Sequence, residues 1–153
     1  MELTIETATI NLLDELCEIE KQSFTREAFS KREIACLLED YNAIGLAARV
    51  NGEIAGFLIA RIDIVKGKMF SHILTLDVAP SHRRRGIARK LLEELETLLR
   101  QKGVVECRLE VREDNAAAIN LYLKLGYRKM GRLEKYYGDA HGLYLQKPLS
   151  TPE

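Results

Sequence analysis

Residues Ser81-His82-Arg83-Arg84-Arg85-Gly86-Ile87-Ala88 set three consecutive arginines beside a glycine, where a strand pattern gives way to a helix pattern. A helix start carries unpaired N–H groups and a partial positive charge, so it attracts anions and disfavours cations. Arginines placed there, with Arg89 and Lys90 behind them, work against the dipole by about a few tenths of a kcal/mol each. The pattern fits a bound anion, and Gly86 and the small Ala88 would let a phosphate approach the backbone. A solvated basic turn is the alternative for the same residues. No Gly-Lys-Ser/Thr follows and no GxGxxG is present, so the anion is not a P-loop or Rossmann nucleotide.

Other reactive side chains are scattered. His72, His82 and His141 make no metal-ligand spacing and read as structural or surface residues. Cys17, Cys36 and Cys107 are an odd number without a CxxC pair, which argues against a disulfide framework or a zinc site and suits a reducing compartment. Glu110 shares a strand face with Glu106, Arg108 and Arg112, and a solvated charged face would explain all four.

The 153 residues suit one domain over 1–149 with a short tail at 150–153. Lys plus Arg equals Asp plus Glu at 23 each, so bulk attraction to nucleic acid or membrane has no support. The acidic start and the lack of any apolar run of roughly 18 residues argue against a signal peptide or membrane span. A soluble cytoplasmic protein is expected.

The elements that must position these residues follow from periodicity. Leu3–Thr7 alternates as a strand. Asn11–Ser23 and Ser30–Tyr41 carry apolar residues at helical spacing. Asn11 is the expected N-cap of the first, and Ser30 with Glu33 forms a capping box for the second. Two strands flank the hairpin signal Asn51-Gly52, and a third runs from about Lys68 to Ala79. A helix from Gly86 to Lys102 ends at Gly103. Val105–Arg112 alternates with Val105, Cys107, Leu109 and Val111 on one face. Asp114 or Asn115 caps a helix to Leu125, and strands at about Tyr127–Tyr136 and Leu143–Lys147 close the chain. The order β-α-α-β-β-β-α-β-α-β-β predicts a mixed α/β or α+β fold around a largely antiparallel sheet, with one parallel βαβ crossover at its centre.

Arg83-x-x-Gly86-x-Ala88, after Leu76-Asp77-Val78-Ala79-Pro80, closely resembles the Q/R-x-x-G-x-G/A signature of the GNAT family of N-acetyltransferases. Leu109-Glu110-Val111-Arg112, Asn115-Ala116-Ala117-Ala118-Ile119 and Leu121-Tyr122-x-x-Leu125-Gly126-Tyr127 extend the likeness to the ribosomal-protein alanine N-acetyltransferase (RimI-like) and archaeal N-terminal acetyltransferase branch. The resemblance implies an acyl-CoA N-acyltransferase fold and acetyl-CoA as cosubstrate, with no metal. It implies that Arg83, Arg84, Arg85, Gly86, Ile87 and Ala88 cradle the pyrophosphate, mostly through backbone N–H groups. The backbone of Leu76, Asp77 and Val78 would hold the pantetheine arm on a strand that splays from its neighbour, with an N–H near Val78 polarising the thioester carbonyl. Asn115 would contact the CoA arm, a role compatible with an N-cap. Glu110 would be the general base, through water, and Tyr122 the acid that protonates the departing sulfur, where a core tyrosine is the alternative.

On the acceptor side, Ile19-Glu20-Lys21-Gln22-Ser23-Phe24 resembles the branch's IExxSF, and Arg132-x-x-x-Tyr136-Tyr137 its RxxYY. These nominate Phe24, Tyr136 and Tyr137 for the acceptor pocket, where plain aromatic packing is the alternative. Ala28-Phe29-Ser30 replaces the branch's Pro-Trp-Ser, and Ala140-His141-Gly142-Leu143 replaces its Gly-Glu-Asp-Ala. A peptide α-amine has a pKa near ~8 and a lysine near ~10.4, so a lysine costs about 3 kcal/mol more to deprotonate at neutral pH. A single carboxylate base therefore suits an α-amine. The expected acceptor is a protein N-terminus, a ribosomal protein's among the candidates. A small amine is the enzymatic alternative, and a non-catalytic acyl-CoA-binding module is the other.

Overall fold

Period-two alternation along seven segments assembles one mixed sheet, in a computed structural model that describes residues 2–23 and 28–149. The strands are β1 (Leu3–Thr7), β2 (Ala43–Val50), β3 (Glu53–Val65), β4 (Lys68–Val78), β5 (Glu106–Arg112), β6 (Arg128–Leu133) and β7 (Gly142–Pro148). They lie in the order β1-β2-β3-β4-β5-β7-β6, and only the β4–β5 pair is parallel. Helices α1 (Leu13–Ser23), α2 (Lys31–Glu39), α3 (Ile87–Lys102) and α4 (Ala116–Lys124) complete the expected order. The tail at 150–153 lies outside the described residues.

Local chemistry accounts for most element ends. Asn51 and Gly52 both take positive φ (49° and 89°), as a two-residue hairpin turn requires. The Ser30 hydroxyl accepts from Glu33 N–H at 3.1 Å and the Glu33 carboxylate accepts from Ser30 N–H at 3.0 Å, which closes the capping box of α2. Gly103, at φ 83°, ends α3. Asn115 rather than Asp114 caps α4, its Oδ1 accepting from Ala118 N–H at 3.2 Å.

Four expectations are corrected. Asn11 is not an N-cap: it lies inside a 3₁₀ turn, Ile10–Leu12, and α1 begins at Leu13. Val105 precedes β5 and is exposed, while Cys107, Leu109 and Val111 are buried as read. β6 stops at Leu133, not Tyr136, because the chain turns with Lys135 at φ 48° and Gly138 at φ 80°. A second hairpin turn, Lys66-Gly67 (φ 52° and 78°), joins β3 to β4 where no turn was read.

Two apolar layers flank the sheet. On one face α3 packs Leu91, Leu92, Leu95 and Leu99 against Leu58, Ala60, Ile73 and Leu109. On the other, Leu16 and Ile19 of α1 and Ile34 of α2 pack on Ala47, Phe57 and Ile59. Each such buried side chain contributes about 1.5–3 kcal/mol relative to exposure. The register of β3 and β4 shifts between Ile59 and Ala60, which pair with Thr75 and Ile73, so Leu74 is the extra residue of a bulge. The bulge turns Thr75 and Asp77 toward the α1 layer while Ile73 stays in the α3 core.

Candidate active site

β4 and β5 pair only from Phe70, Ser71 and His72 to Glu106, Cys107 and Arg108. Beyond that point β5 keeps only β7 and β4 keeps only β3, so the two parallel strands part. The expected splay is therefore present. It opens a cavity of about 460 Å³, within the range of small-molecule sites. Leu74 and Leu76 line it from β4, and Leu109, Glu110 and Val111 from β5. Asn115, Ala118 and Tyr122 close one end, and Tyr136 and Tyr137 another.

Glu110 is half-buried, not a solvated surface carboxylate. Its Oε1 and Oε2 lie 2.8 and 3.0 Å from His72 Nε2, and Tyr136 donates its hydroxyl to Oε1 at 3.4 Å. His72, expected to be a structural or surface residue, is partly buried and held against Glu110. It sits opposite Arg108, in the last β4–β5 pair, and on the cavity wall. His141 does behave as a structural residue, its Nδ1 accepting from Lys135 N–H at 2.9 Å, and His82 Nδ1 lies 2.9 Å from the hydroxyl of its neighbour Ser81.

Tyr122 is buried at the α4 end of the cavity, edge-on to Tyr127 with ring centroids 5.7 Å apart. Burial, then the nearby Asp77 carboxyl, holds its hydroxyl well above the ordinary tyrosine range, so it stays protonated through neutral pH. Asn115 caps α4 and lines the same cavity.

Tyr136 and Tyr137 sit on the loop after β6, their rings T-shaped at 4.9 Å. Arg112 anchors that loop, pairing with Asp139 at 3.2 Å and lying over the Tyr137 ring at 5.6 Å. Arg132 pairs with Glu113 at 2.6 Å, tying β6 to the end of β5. A Cβ on Gly142 would come within 3.2 Å of both tyrosines, so any other residue there would push the rings by a few tenths of an ångström. Burial, then Glu110, raises the Tyr136 hydroxyl above its usual value. Phe24 lies outside the described residues. Phe29, which follows Ala28, lines the cavity.

The loop from β4 to α3 carries the residues expected to meet an anion. A 3₁₀ turn, Pro80–His82, leads to Arg84 at φ 64° and Gly86 at φ 78°. Left-handed residues in such a loop aim successive N–H groups to one side, as anion-binding nests do. Gly86 heads α3 without a side-chain cap, and the first turn, with Ile87 and Ala88, holds no acidic residue. Arg84 and Arg85 are exposed and, among the described residues, have no ion-pair partner. Arg83 turns inward, its Nε donating to Val78 O at 3.1 Å and its Nη2 to Ser23 Oγ at 3.4 Å. Leu76 lines the cavity, whereas Asp77 is buried behind Thr75, its Oδ1 3.0 Å from Thr75 Oγ1. A Cβ on Gly56 of β3 would lie 2.7 Å from Asp77 O, so glycine lets β3 hug β4 at this point.

Sequence reasoning missed Glu20 and Thr75, which also line the cavity. Glu20 Oε2 accepts from Phe29 N–H at 2.9 Å, and Thr75 Oγ1 lies 2.9 Å from Glu20 Oε1. A signal existed: Leu13, Leu16 and Glu20 follow helical spacing, which puts an acid on the apolar stripe of α1.

Known proteins resemble this chain in sequence and fold. The chain is 33% identical over 121 residues to an N-alpha-acetyltransferase of Sulfurisphaera tokodaii, covering 71% of this chain and 70% of that protein. It is 37% identical over 92 residues to the ribosomal protein bS18-alanine N-acetyltransferase of Escherichia coli, covering 60% of each. The crystal structure of the ribosomal-protein-S18-alanine N-acetyltransferase from Escherichia coli superimposes with a TM-score of 0.88 at 28% identity, over 99% of this chain and 97% of that one. The profile of the Acetyltransferase (GNAT) family matches residues 11–127, from the start of α1 through the α4 end of the cavity. With a splayed β4–β5 pair and this match over most of its length, the chain belongs to the acetyltransferase (GNAT) family.

Proposed function

We propose that the protein transfers acetyl from acetyl-CoA to the N-terminal α-amine of a protein, a ribosomal protein's among the candidates. The observation that carries this reading is a single cavity, opened where β4 and β5 part, whose walls hold both Glu110 and Tyr122.

The residues present fit the cosubstrate. The loop N–H groups from Arg84 to Ala88 face an anion with no competing acid, and suit the pyrophosphate. The edge of β4 that β5 leaves, from Ile73 to Val78, offers backbone groups to the pantetheine amides. An N–H near Val78 polarises the thioester carbonyl and stabilises the oxyanion that forms on attack. Asn115 borders the arm.

The α-amine must be neutral to attack. Glu110, oriented by His72 and Tyr136, takes the ammonium proton through water. The amine nitrogen then bonds to the thioester carbon, the carbon–sulfur bond breaks, and Tyr122 gives its proton to the departing thiolate. The surplus proton on the new amide nitrogen leaves through solvent, which reprotonates Tyr122. Tyr136, Tyr137 and Phe29 border the acceptor, with Phe24 assigned there by resemblance. The unpaired cysteine set suits a cytoplasmic location for this activity. Among the described residues no helix is long and apolar enough to cross a membrane.

Glu110→Gln and Tyr122→Phe test the roles. Each should lower kcat by about 10²-fold or more while acetyl-CoA binding, read by calorimetry, stays within about threefold of the parent chain. Unchanged turnover in both variants would remove these residues from the mechanism.

A further inference from the structure

Three side chains beneath the cavity are buried together without being part of the acid–base pair: Glu20 of α1 (1% exposed) and Thr75 and Asp77 of β4 (5% and 2%). Thr75 Oγ1 stands between the two acids, 2.9 Å from Glu20 Oε1 and 3.0 Å from Asp77 Oδ1. Glu20 Oε2 then accepts from Phe29 N–H at 2.9 Å, on the segment that leads into α2. Among the described residues Asp77 Oδ2 is buried without a hydrogen-bond partner. This half of β4 has already lost β5, so one of its edges lacks a ladder.

We infer that Asp77, with Thr75 and Glu20, is a positioning residue of the acyl-transfer site, a side-chain clasp that fixes the acceptor-side segment at Phe29 to the unladdered half of β4. The strand whose backbone meets the acyl group and the segment that borders the amine are thereby held in one register. The kinetic part of this inference rests on the acyl-transfer reading, whereas the clasp itself does not.

Two unpaired buried carboxylates this close would repel strongly, so the cluster retains a proton. Burial, reinforced by Glu20, pushes the Asp77 carboxyl up to about 10, against smaller opposing effects from Thr75 and Arg83. The groups facing it are Glu20 from α1, Arg83 from the loop after β4 and Tyr122 from α4, while β3 presents the apolar Phe57 as its register partner. An unfolded aspartate loses its proton near ~pH 4. From there to about pH 10 the folded chain binds more protons than the unfolded one, so this group makes stability fall as pH rises.

Asp77→Asn keeps the shape but cannot ionise, and Asp77→Ala and Thr75→Val break the clasp. The melting temperature of Asp77→Asn should exceed that of the parent by a margin that widens from about pH 5 to about pH 9. Amide exchange at Phe29 should quicken by about tenfold in Thr75→Val and Asp77→Ala but not in Asp77→Asn. In turnover assays Asp77→Ala should raise the acceptor KM about tenfold with the acetyl-CoA KM moved less than about threefold, and Asp77→Asn should recover most of that loss. A constant melting offset across pH overturns the retained proton. Unchanged Phe29 exchange in both clasp-breaking variants overturns the clasp, whether or not the chain turns over. An acceptor KM unmoved by Asp77→Ala, in a chain that does transfer acetyl, overturns the positioning role.

Discussion

His72 on β4 and Glu110 on β5 are joined through Nε2, which lies 2.8 Å from one carboxylate oxygen and 3.0 Å from the other. The two strands are backbone-paired only as far as His72, so this side-chain link stands where the cavity opens. It fixes the carboxylate proposed above as the general base. It also restrains how far the two strands can part.

Removing that restraint should be felt mainly in kcat. His72→Ala should lower it by about tenfold, less than loss of Glu110 itself, because the carboxylate persists but is no longer held. His72→Gln, which can still donate to Glu110, should recover part of the loss. Initial-rate measurements at saturating acetyl-CoA check this.

The pH profile should rise and then stay flat. An α-amine becomes free as pH approaches about 8, so kcat/KM for a peptide climbs through that range. Tyr122 is pushed above the ordinary tyrosine range, so its proton is still present above pH 9 and no alkaline limb should follow below that point. A fall in rate starting between about pH 8 and 9, with the protein still folded by circular dichroism, would contradict the assignment of Tyr122 as the acid.

Gly86→Ala should weaken acetyl-CoA binding more than it weakens the fold. Gly86 sits at φ 78°, where an L-residue costs about 1–2 kcal/mol, although no atom lies within 4 Å of the added Cβ. The methyl would project where a phosphate must approach the backbone. Titration calorimetry should give at least about a tenfold rise in Kd, and added salt should weaken binding to the parent chain because Arg84 and Arg85 are exposed.

Ser30→Ala removes half of the capping box of α2. It should cost about 1 kcal/mol of stability in denaturant melts. Because Phe29 precedes the cap and borders the cavity, the acceptor KM should rise while the acetyl-CoA KM stays put.

Local signals and long-range contacts were not equally legible in the sequence. Ser30 with Glu33, Asn51-Gly52, Gly103 and Asn115 were readable because each acts within a few residues of itself. The order of elements and the splayed strand followed from periodicity and from the motif resemblance. Asn11 misled because a short polar residue before an apolar stripe also suits a 3₁₀ turn. The last part of the Tyr127–Tyr136 pattern looked extended but turns at Lys135, whose left-handed backbone no residue type announces. His72 and Asp77 could not be placed because their partners, Glu110 and Glu20, lie 38 and 57 residues away along the chain. The face each presents depends on the bulge at Leu74, which arises only when β3 and β4 pair.

The most direct test incubates the protein with acetyl-CoA and a peptide panel, and reads the products by mass spectrometry. The panel holds free α-amines with varied first residues, α-blocked peptides with an internal lysine, and small polyamines. Acetylation confined to free peptide N-termini, lost in Glu110→Gln, is the predicted result. Acetylation of lysines or polyamines with the peptide N-termini untouched would contradict the account.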